Sequence, residues 1–175
     1  KQLEIELISA KQQVEEEHDK SERLLLNILP ARIAERLKQN EQTIAESFEE
    51  VSVLFADIVG FTALSRNTSP HQLVDILNTI FTRFDQLAVH HQLEKIKTIG
   101  DAYLVVGGLS VENPNHIDSI INMGLDMNQA ISEVNELWHH NLSIRIGIDC
   151  GAVVAGVIGE NKFIYDLWAI PSPFS

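Results

Sequence analysis

Two strand-like segments separated by only two residues constrain the fold of this chain more than any other feature. The segments are Leu93–Ile99 and Ala102–Gly108, and the dipeptide Gly100-Asp101 lies between them. A two-residue connection that contains glycine is typical of a tight β-hairpin, because glycine readily adopts the positive φ angle of such turns. The sequence therefore predicts two antiparallel strands with Asp101 at the tip of their turn.

Strand and helix patterns alternate along the rest of the chain from residue 51 onward. Strands are predicted at Val51–Ala56 and at the strictly alternating segment Leu142–Ile148. One helix should begin after Ser69, an N-cap residue followed by proline, and His90-His91 should close it. A second helix should begin at Asn113-Pro114-Asn115. The predicted apolar faces comprise Val74, Leu77, Phe81, Phe84 and Ala88 in the first helix, and Ile117, Ile120, Ile121, Met127, Ile131, Val134 and Trp138 in the second.

The resulting element order, βαββαβ, predicts an α+β fold of the ferredoxin-like type. In this α/β sandwich, two helices cover one face of an antiparallel sheet. Residues Gly151–Gly159 lack the lysine of a phosphate-binding P-loop and are interpreted as a packed strand and turn.

The first fifty residues have a different pattern. Mostly apolar residues recur at alternating spacings of four and three, with Glu17 and Ser21 as polar exceptions: Leu3, Leu7, Ala10, Val14, Glu17, Ser21, Leu24 and Ile28. This heptad pattern predicts a parallel coiled coil, and its polar positions leave a single solvated amphipathic helix as the alternative. Pro30 should end or kink this helix and start another at Ala31. Residues Thr43–Glu50 are interpreted as a linker into the first strand.

Two aspartates are candidates for metal binding. Asp57 follows an apolar strand, and Asp101 lies in the predicted hairpin turn. Two carboxylates about 4 Å apart repel each other by roughly 4 kcal/mol at an effective dielectric constant near 20, so a site that gathers them normally holds a cation. Mg²⁺ or Mn²⁺ would suit such oxygen ligands. The alternative is that both are ordinary turn aspartates without a shared role.

A turn that follows Asp57 is a candidate phosphate site. The backbone amides of Gly60, Phe61 and Thr62 could cradle phosphate oxygens as the chain enters a helix.

These residues lie in two motifs, VSVLFADIVGFT at Val51–Thr62 and KIKTIGDAY at Lys95–Tyr103, which resemble the catalytic domain of class III nucleotidyl cyclases. Members of this family make cyclic AMP or cyclic GMP. The resemblance implies two Mg²⁺ or Mn²⁺ ions per site, bound by Asp57, Asp101 and the backbone carbonyl of Ile58.

The same resemblance implies ATP as the substrate. Lys97 and Asp166, in the segments KIKTIGD and FIYDLW, match the two base-selecting positions of adenylyl enzymes. From strand alternation alone, Lys97 would be an outward lysine on a half-exposed sheet. In the family, the metal-binding acids and the base selectors of one site come from different subunits of a head-to-tail dimer. The implied partner is therefore a second cyclase subunit, in a homodimer or a heterodimer.

The resemblance also divides the chain into segments. Residues 1–45 would form a signalling helix and linker below an upstream sensor domain, residues 46–168 the catalytic domain, and residues 169–175 a tail outside the family pattern. Family members continue with an Asn and an Arg that act on the substrate and a later lysine that binds triphosphate. Because residues 169–175 do not match that segment, we expect this chain alone to be inactive.

Composition narrows the possible partners. A net charge of −12 argues against binding to nucleic acid, and no apolar run approaches the roughly 18 residues of a membrane span. The single cysteine, Cys150, excludes an internal disulfide and fits a cytoplasmic location, in a soluble or a membrane-attached sensor protein. The alternatives are a non-catalytic regulatory or dimerisation module derived from a cyclase, a guanylate cyclase, or a diguanylate-cyclase-like enzyme. The missing GGDEF-type hairpin sequence argues against the last.

Overall fold

The computed structural model describes residues 2–39, 41, 43–109, 113–159 and 163–170. Its helices are α1 (Gln2–Leu26), α2 (Ala31–Lys38), α3 (Phe61–Asn67), α4 (Pro70–His90) and α5 (His116–Trp138). Its strands are β1 (Ala45–Val59), β2 (Glu94–Ile99), β3 (Ala102–Gly107), β4 (Ser143–Ile158) and β5 (Ile164–Ala169). No helix within these residues is long and apolar enough to cross a membrane.

The strands form one five-stranded sheet in the order β2-β3-β1-β4-β5. Strand β3 pairs antiparallel with both β1 and β2. The first four strands of this order have the ferredoxin-like arrangement, because β3 lies between β1 and β2 and the helices α4 and α5 connect strands that are not neighbours. The predicted α+β fold is therefore confirmed.

The core lies between one face of the sheet and the helices α4 and α5. Side chains of β1 and β3 contribute to it from the sheet, and both helices contribute apolar stripes. The main contributors are Leu54, Ala56 and Ile58 of β1, Tyr103 and Val105 of β3, Ile76, Ile80, Phe84 and Ala88 of α4, and Ile120, Met123, Met127 and Ile131 of α5. Since strand side chains alternate, Phe55, Asp57 and Val59 point to the opposite face, which we call the open face.

Local capping signals confirm where α4 and α5 begin. The Ser69 hydroxyl accepts a hydrogen bond from the backbone N–H of Gln72 at 3.3 Å, and Pro70 is the first helical residue. Helix α4 ends at His90, and Asn115 is the N-cap of α5. Pro30 precedes α2 as its N-cap, so the predicted break between the first two helices is also confirmed.

Two sequence-based expectations are wrong. Residues 43–50 are not all linker, because β1 begins at Ala45. The buried stripe of α4 includes Ile76 and Ile80, whereas Val74 is exposed. Ile117 and Ile121 of α5 are likewise exposed, although they belong to the predicted apolar face. On a helix rich in apolar residues, periodicity alone does not fix the rotation about the axis; contact with the sheet does.

The chain divides into two compact units. One comprises Lys1–Ala45 and Gly156–Tyr165, and it contains α1 and α2. Here α2 buries Ile33 and Ala34, and Arg32 donates to the hydroxyl of Tyr165 at 2.6 Å. Helix α1 is continuous, which confirms the predicted helix. Its described heptad residues are exposed in the single chain, so the coiled coil stays a prediction. The other unit, Glu46–Ala155 with Asp166–Ser175, carries the candidate site. Of the predicted tail, residues 171–175 lie outside the described residues.

Candidate active site

Sheet register brings the two predicted metal-binding acids to neighbouring strand ends. Asp57 of β1 lies opposite Ala102 of β3, and Asp101 immediately precedes Ala102. Ile99 pairs with Ala102 across the turn, and Gly100 has a φ of 62°, which confirms the predicted two-residue hairpin. The side chain of Asp57 is 32% exposed on the open face. Both residues therefore lie at the same end of the β1–β3 pair.

Arg145 of β4 contacts Asp57, and the sequence analysis did not predict this contact. Its guanidinium donates to Asp57 Oδ2 at 3.0 Å. Because Ile144 and Ile146 pack against the core, alternation places Arg145 on the open face. In the sequence, Arg145 is recognisable only as a positively charged side chain at an outward position of the alternating segment LSIRIGI. The strand order is needed to identify Asp57 as its partner.

The predicted base selectors also meet in the structure. Lys97 Nζ lies 2.5 Å from Asp166 Oδ2, although β2 and β5 are the two edge strands of the sheet. Their side chains are 29% and 22% exposed, and Asp166 Oδ1 accepts from the backbone N–H of Leu167 at 2.8 Å. An ammonium group has three donors and a carboxylate about four acceptor sites, so the paired residues keep capacity for a third group.

The turn after Asp57 leads directly into α3. Gly60 has a φ of 81°, which allows the sharp change of direction between β1 and the helix. The N–H groups of Ala63 and Leu64 both donate to the Gly60 carbonyl at 3.0 Å. The amides of Phe61 and Thr62 occupy the first helical positions, where N–H groups have no acceptor within the helix. These are the positions predicted to bind phosphate.

The oxygen ligands near Asp57 suit a hard divalent cation whose coordination is completed by water and substrate. The described part of the chain contains no cluster of three or more histidine, cysteine, aspartate or glutamate side chains that could enclose a metal. Two carboxylates and the carbonyl of Ile58 would supply oxygen ligands only. Mg²⁺ is usually held by one or two carboxylates together with water and substrate phosphates, so this set fits it.

Comparisons with known proteins show which family this chain resembles. A sequence model of the family "Adenylate and Guanylate cyclase catalytic domain" matches residues 43–171. An adenylate cyclase of Mycobacterium bovis is 46% identical over 156 residues, which are 89% of this chain and 35% of the relative. The alpha-1 subunit of rat (Rattus norvegicus) soluble guanylate cyclase is 42% identical over 166 residues, which are 95% of this chain and 24% of that subunit.

Comparison with a solved structure also shows similarity to a nucleotide cyclase. The crystal structure of the catalytic core of a rhodopsin-guanylyl cyclase with converted specificity, in complex with ATPalphaS, is similar with a TM-score of 0.66 and 36% identity. The similarity covers 71% of this chain and 68% of that one. This chain spans about a third or less of the length of the two curated relatives. On these grounds it belongs to the adenylate and guanylate cyclase catalytic domain family, the class III nucleotidyl cyclases.

Proposed function

We propose that this chain is the catalytic domain of an adenylate cyclase, which converts ATP to 3′,5′-cyclic AMP and pyrophosphate. The contact between Lys97 and Asp166 supports the choice of ATP over GTP. Adenine presents an acceptor at N1 and a donor at its exocyclic amine, which match a lysine and an aspartate respectively. Guanine presents a donor at N1 and a carbonyl at C6, so each protein group would face a group of its own kind.

The residues around Asp57 would hold the triphosphate. Two Mg²⁺ or Mn²⁺ ions bound by Asp57, Asp101 and the carbonyl of Ile58 would activate the attacking 3′-hydroxyl and neutralise the leaving pyrophosphate. Arg145, already beside Asp57, would donate to phosphate oxygens. The amides of Gly60, Phe61 and Thr62 would do the same from the turn. A new bond from the 3′-oxygen to the α-phosphorus would then replace the bond from the α-phosphorus to the oxygen of the β-phosphate, and the 3′-hydroxyl proton would pass to solvent.

A second copy of the chain would complete each site. Within one chain, the guanidinium of Arg145 contacts the carboxylate of Asp57, and the ammonium of Lys97 contacts the carboxylate of Asp166. We assign these pairs to two different sites of a head-to-tail dimer, each of which combines the metal-binding acids of one subunit with the base selectors of the other. Large apolar side chains on the open face, Phe55 and Val59, are exposed and would gain from burial at such an interface. Helix α1 would link this dimer to a sensor domain.

Nucleotide preference tests the proposal directly. In the intact protein that carries this domain, we expect turnover of ATP in the presence of Mn²⁺ to exceed that of GTP. Changing Lys97→Glu together with Asp166→Cys should shift the ratio of kcat/KM values toward GTP by about 1 to 3 kcal/mol. The control makes the same charge changes away from the site, with Lys38→Glu and Asp126→Cys. A wild-type protein that uses GTP as well as ATP would contradict the assignment.

A further inference from the structure

Strand β2 carries an irregularity that decides which way Lys97 points. In a regular strand, residues two apart face the same side, so Lys95 and Lys97 would share a face. Instead, Lys95 lies opposite Val105 and Lys97 lies opposite Leu104, so two steps along β2 correspond to one step along β3. This register shift is a β-bulge at Ile96.

The bulge separates the two lysines onto opposite faces of the sheet. Residues directly opposite each other in an antiparallel pair share a face. Val105 belongs to the core under α4 and α5, so Lys95 lies on the helix-covered face. Leu104 is also opposite Phe55 of β1, which lies on the open face. Lys97 therefore points to the same face as Asp57, where a nucleotide would bind.

A single carboxylate on α4 holds both neighbouring strands next to the bulge. Asp85 accepts from Lys95 Nζ at 2.8 Å to Oδ1 and at 3.0 Å to Oδ2. It also accepts from the Tyr103 hydroxyl of β3 at 2.7 Å. The Lys95 ammonium lies 5.3 Å from the centre of the Tyr103 ring, so the three groups form one connected cluster.

Burial makes Tyr103 the firm member of this cluster. The residue has no exposed surface, and its ring packs 5.8 Å from Phe81 and 5.4 Å from Phe84, measured between ring centres. Burial, followed by the hydrogen bond to Asp85, raises the pKa of its hydroxyl, so the group stays a neutral donor. Asp85 is thus fixed in position from the protein interior, and it in turn holds Lys95 on the helix side.

We propose that Asp85, Tyr103 and Lys95 are positioning residues for base recognition, because they hold the bulge in β2 that turns Lys97 to the open face. The inference rests on the proposed role of Lys97 in reading adenine. If the cluster is lost, β2 can return to regular pairing with β3, and a one-residue change of register moves a side chain to the other face. Lys97 would then leave Asp166.

The test measures nucleotide preference in Asp85→Ala and Tyr103→Phe variants of the intact protein. We expect Asp85→Ala to raise KM for ATP and to lower the ATP-to-GTP ratio of kcat/KM about tenfold, and Tyr103→Phe to do so less. Asp85→Glu should restore part of the preference. The matched control is Asp126→Ala, which removes the 2.7 Å contact between Asp126 of α5 and His91, the C-cap residue of α4. Thermal unfolding should show that this control loses about as much stability as Asp85→Ala does. Its ATP-to-GTP ratio of kcat/KM should remain that of the wild type.

A double-mutant cycle and a crystal structure separate this inference from the proposed function. Asp85→Ala should change the nucleotide ratio no further when Lys97 is already alanine, because it acts through Lys97. Additive effects, or an unchanged ratio in a folded Asp85→Ala variant, would overturn the positioning role. If Lys97→Ala itself leaves the ratio unchanged, the base-reading role fails. The crystal structure of Asp85→Ala then decides the remaining question: loss of the contact between Lys97 and Asp166 supports the positioning role, and an unchanged bulge refutes it.

Discussion

Asp57 contributes a charge to the site but little to packing. Its side chain lies partly exposed on the open face, and its ion pair is with Arg145, whose side chain is 77% exposed. Exposed ion pairs contribute about 0 to 1 kcal/mol to stability because water screens them. Removing this carboxylate should therefore affect metal binding far more than folding.

We expect Asp57→Asn and Asp101→Asn each to lower Mn²⁺-dependent cyclase activity at least about a hundredfold, because each removes an anionic metal ligand without changing side-chain volume. The free energy of unfolding, measured by urea denaturation, should change by less than about 1 kcal/mol. Asp149→Asn serves as the control, since Asp149 is an exposed aspartate whose carboxylate accepts from the backbone N–H of Cys150. Substantial activity in either of the first two variants would exclude the two-metal assignment.

Two glycines differ in the space around them and so test how tightly the sheet and helices pack. Both lie in the unit that carries the candidate site. A Cβ atom on Gly107 of β3 would lie 2.7 Å from His116 Cβ and 2.9 Å from Ser52 Oγ. The neighbours there are held together, because the His116 ring nitrogen Nδ1 lies 2.9 Å from the same hydroxyl. By contrast, a Cβ atom on Gly124 of α5 would make ordinary contacts, the shortest being 3.5 Å to Leu54.

We predict opposite effects of the same substitution at these positions. Gly107→Ala should destabilise the protein by about 1 to 3 kcal/mol, because the added methyl group forces β3 and the start of α5 apart. Gly124→Ala should stabilise it by about 0.5 to 1 kcal/mol, because alanine favours the helix and the space is available. Denaturant unfolding of the two variants under identical conditions gives both values. A stabilising Gly107→Ala, or a strongly destabilising Gly124→Ala, would show that the packing between sheet and helix differs from this description.

Elements defined by local signals could be predicted from the sequence. The hairpin at Gly100 and the start of α4 at Ser69 both depend on residues within four positions of each other, and both are confirmed. Local motifs also gave Asp57, Asp101, Lys97 and Asp166 as candidate site residues, and the structure brings the last two into contact.

Features that depend on distant partners could not be predicted in this way. The alternation of β2 gives no sign of the bulge at Ile96, beside which Lys95 contacts a carboxylate on α4. Arg145 and Asp57 are 88 positions apart, and only the adjacency of β4 and β1 joins them. Sequence patterns give the face of a strand, whereas the partner on that face follows from strand order and register.

At the scale of the whole molecule, the arrangement of charged pairs bears on how many chains make one site. If each site combines the metal-binding acids of one subunit with the base selectors of the other, a symmetric dimer has two equivalent sites. A variant that lacks both metal-binding acids would be inactive alone, and a variant that lacks both base selectors would turn over ATP poorly. In a heterodimer of the two, one site would carry every defect and the other would be complete.

Complementation between such variants therefore tests the division of labour. We co-express Asp57→Ala/Asp101→Ala and Lys97→Ala/Asp166→Ala forms of the intact protein with two different affinity tags, and purify heterodimers through both tags. With ATP and Mn²⁺, the heterodimer should make cyclic AMP at about half the wild-type rate, since one of the two sites is intact. Pairing Asp57→Ala with Asp101→Ala should give no recovery, because each site then lacks an acid. If the first heterodimer forms but stays inactive, the acids and selectors of one site belong to the same subunit, and the proposed head-to-tail arrangement is wrong.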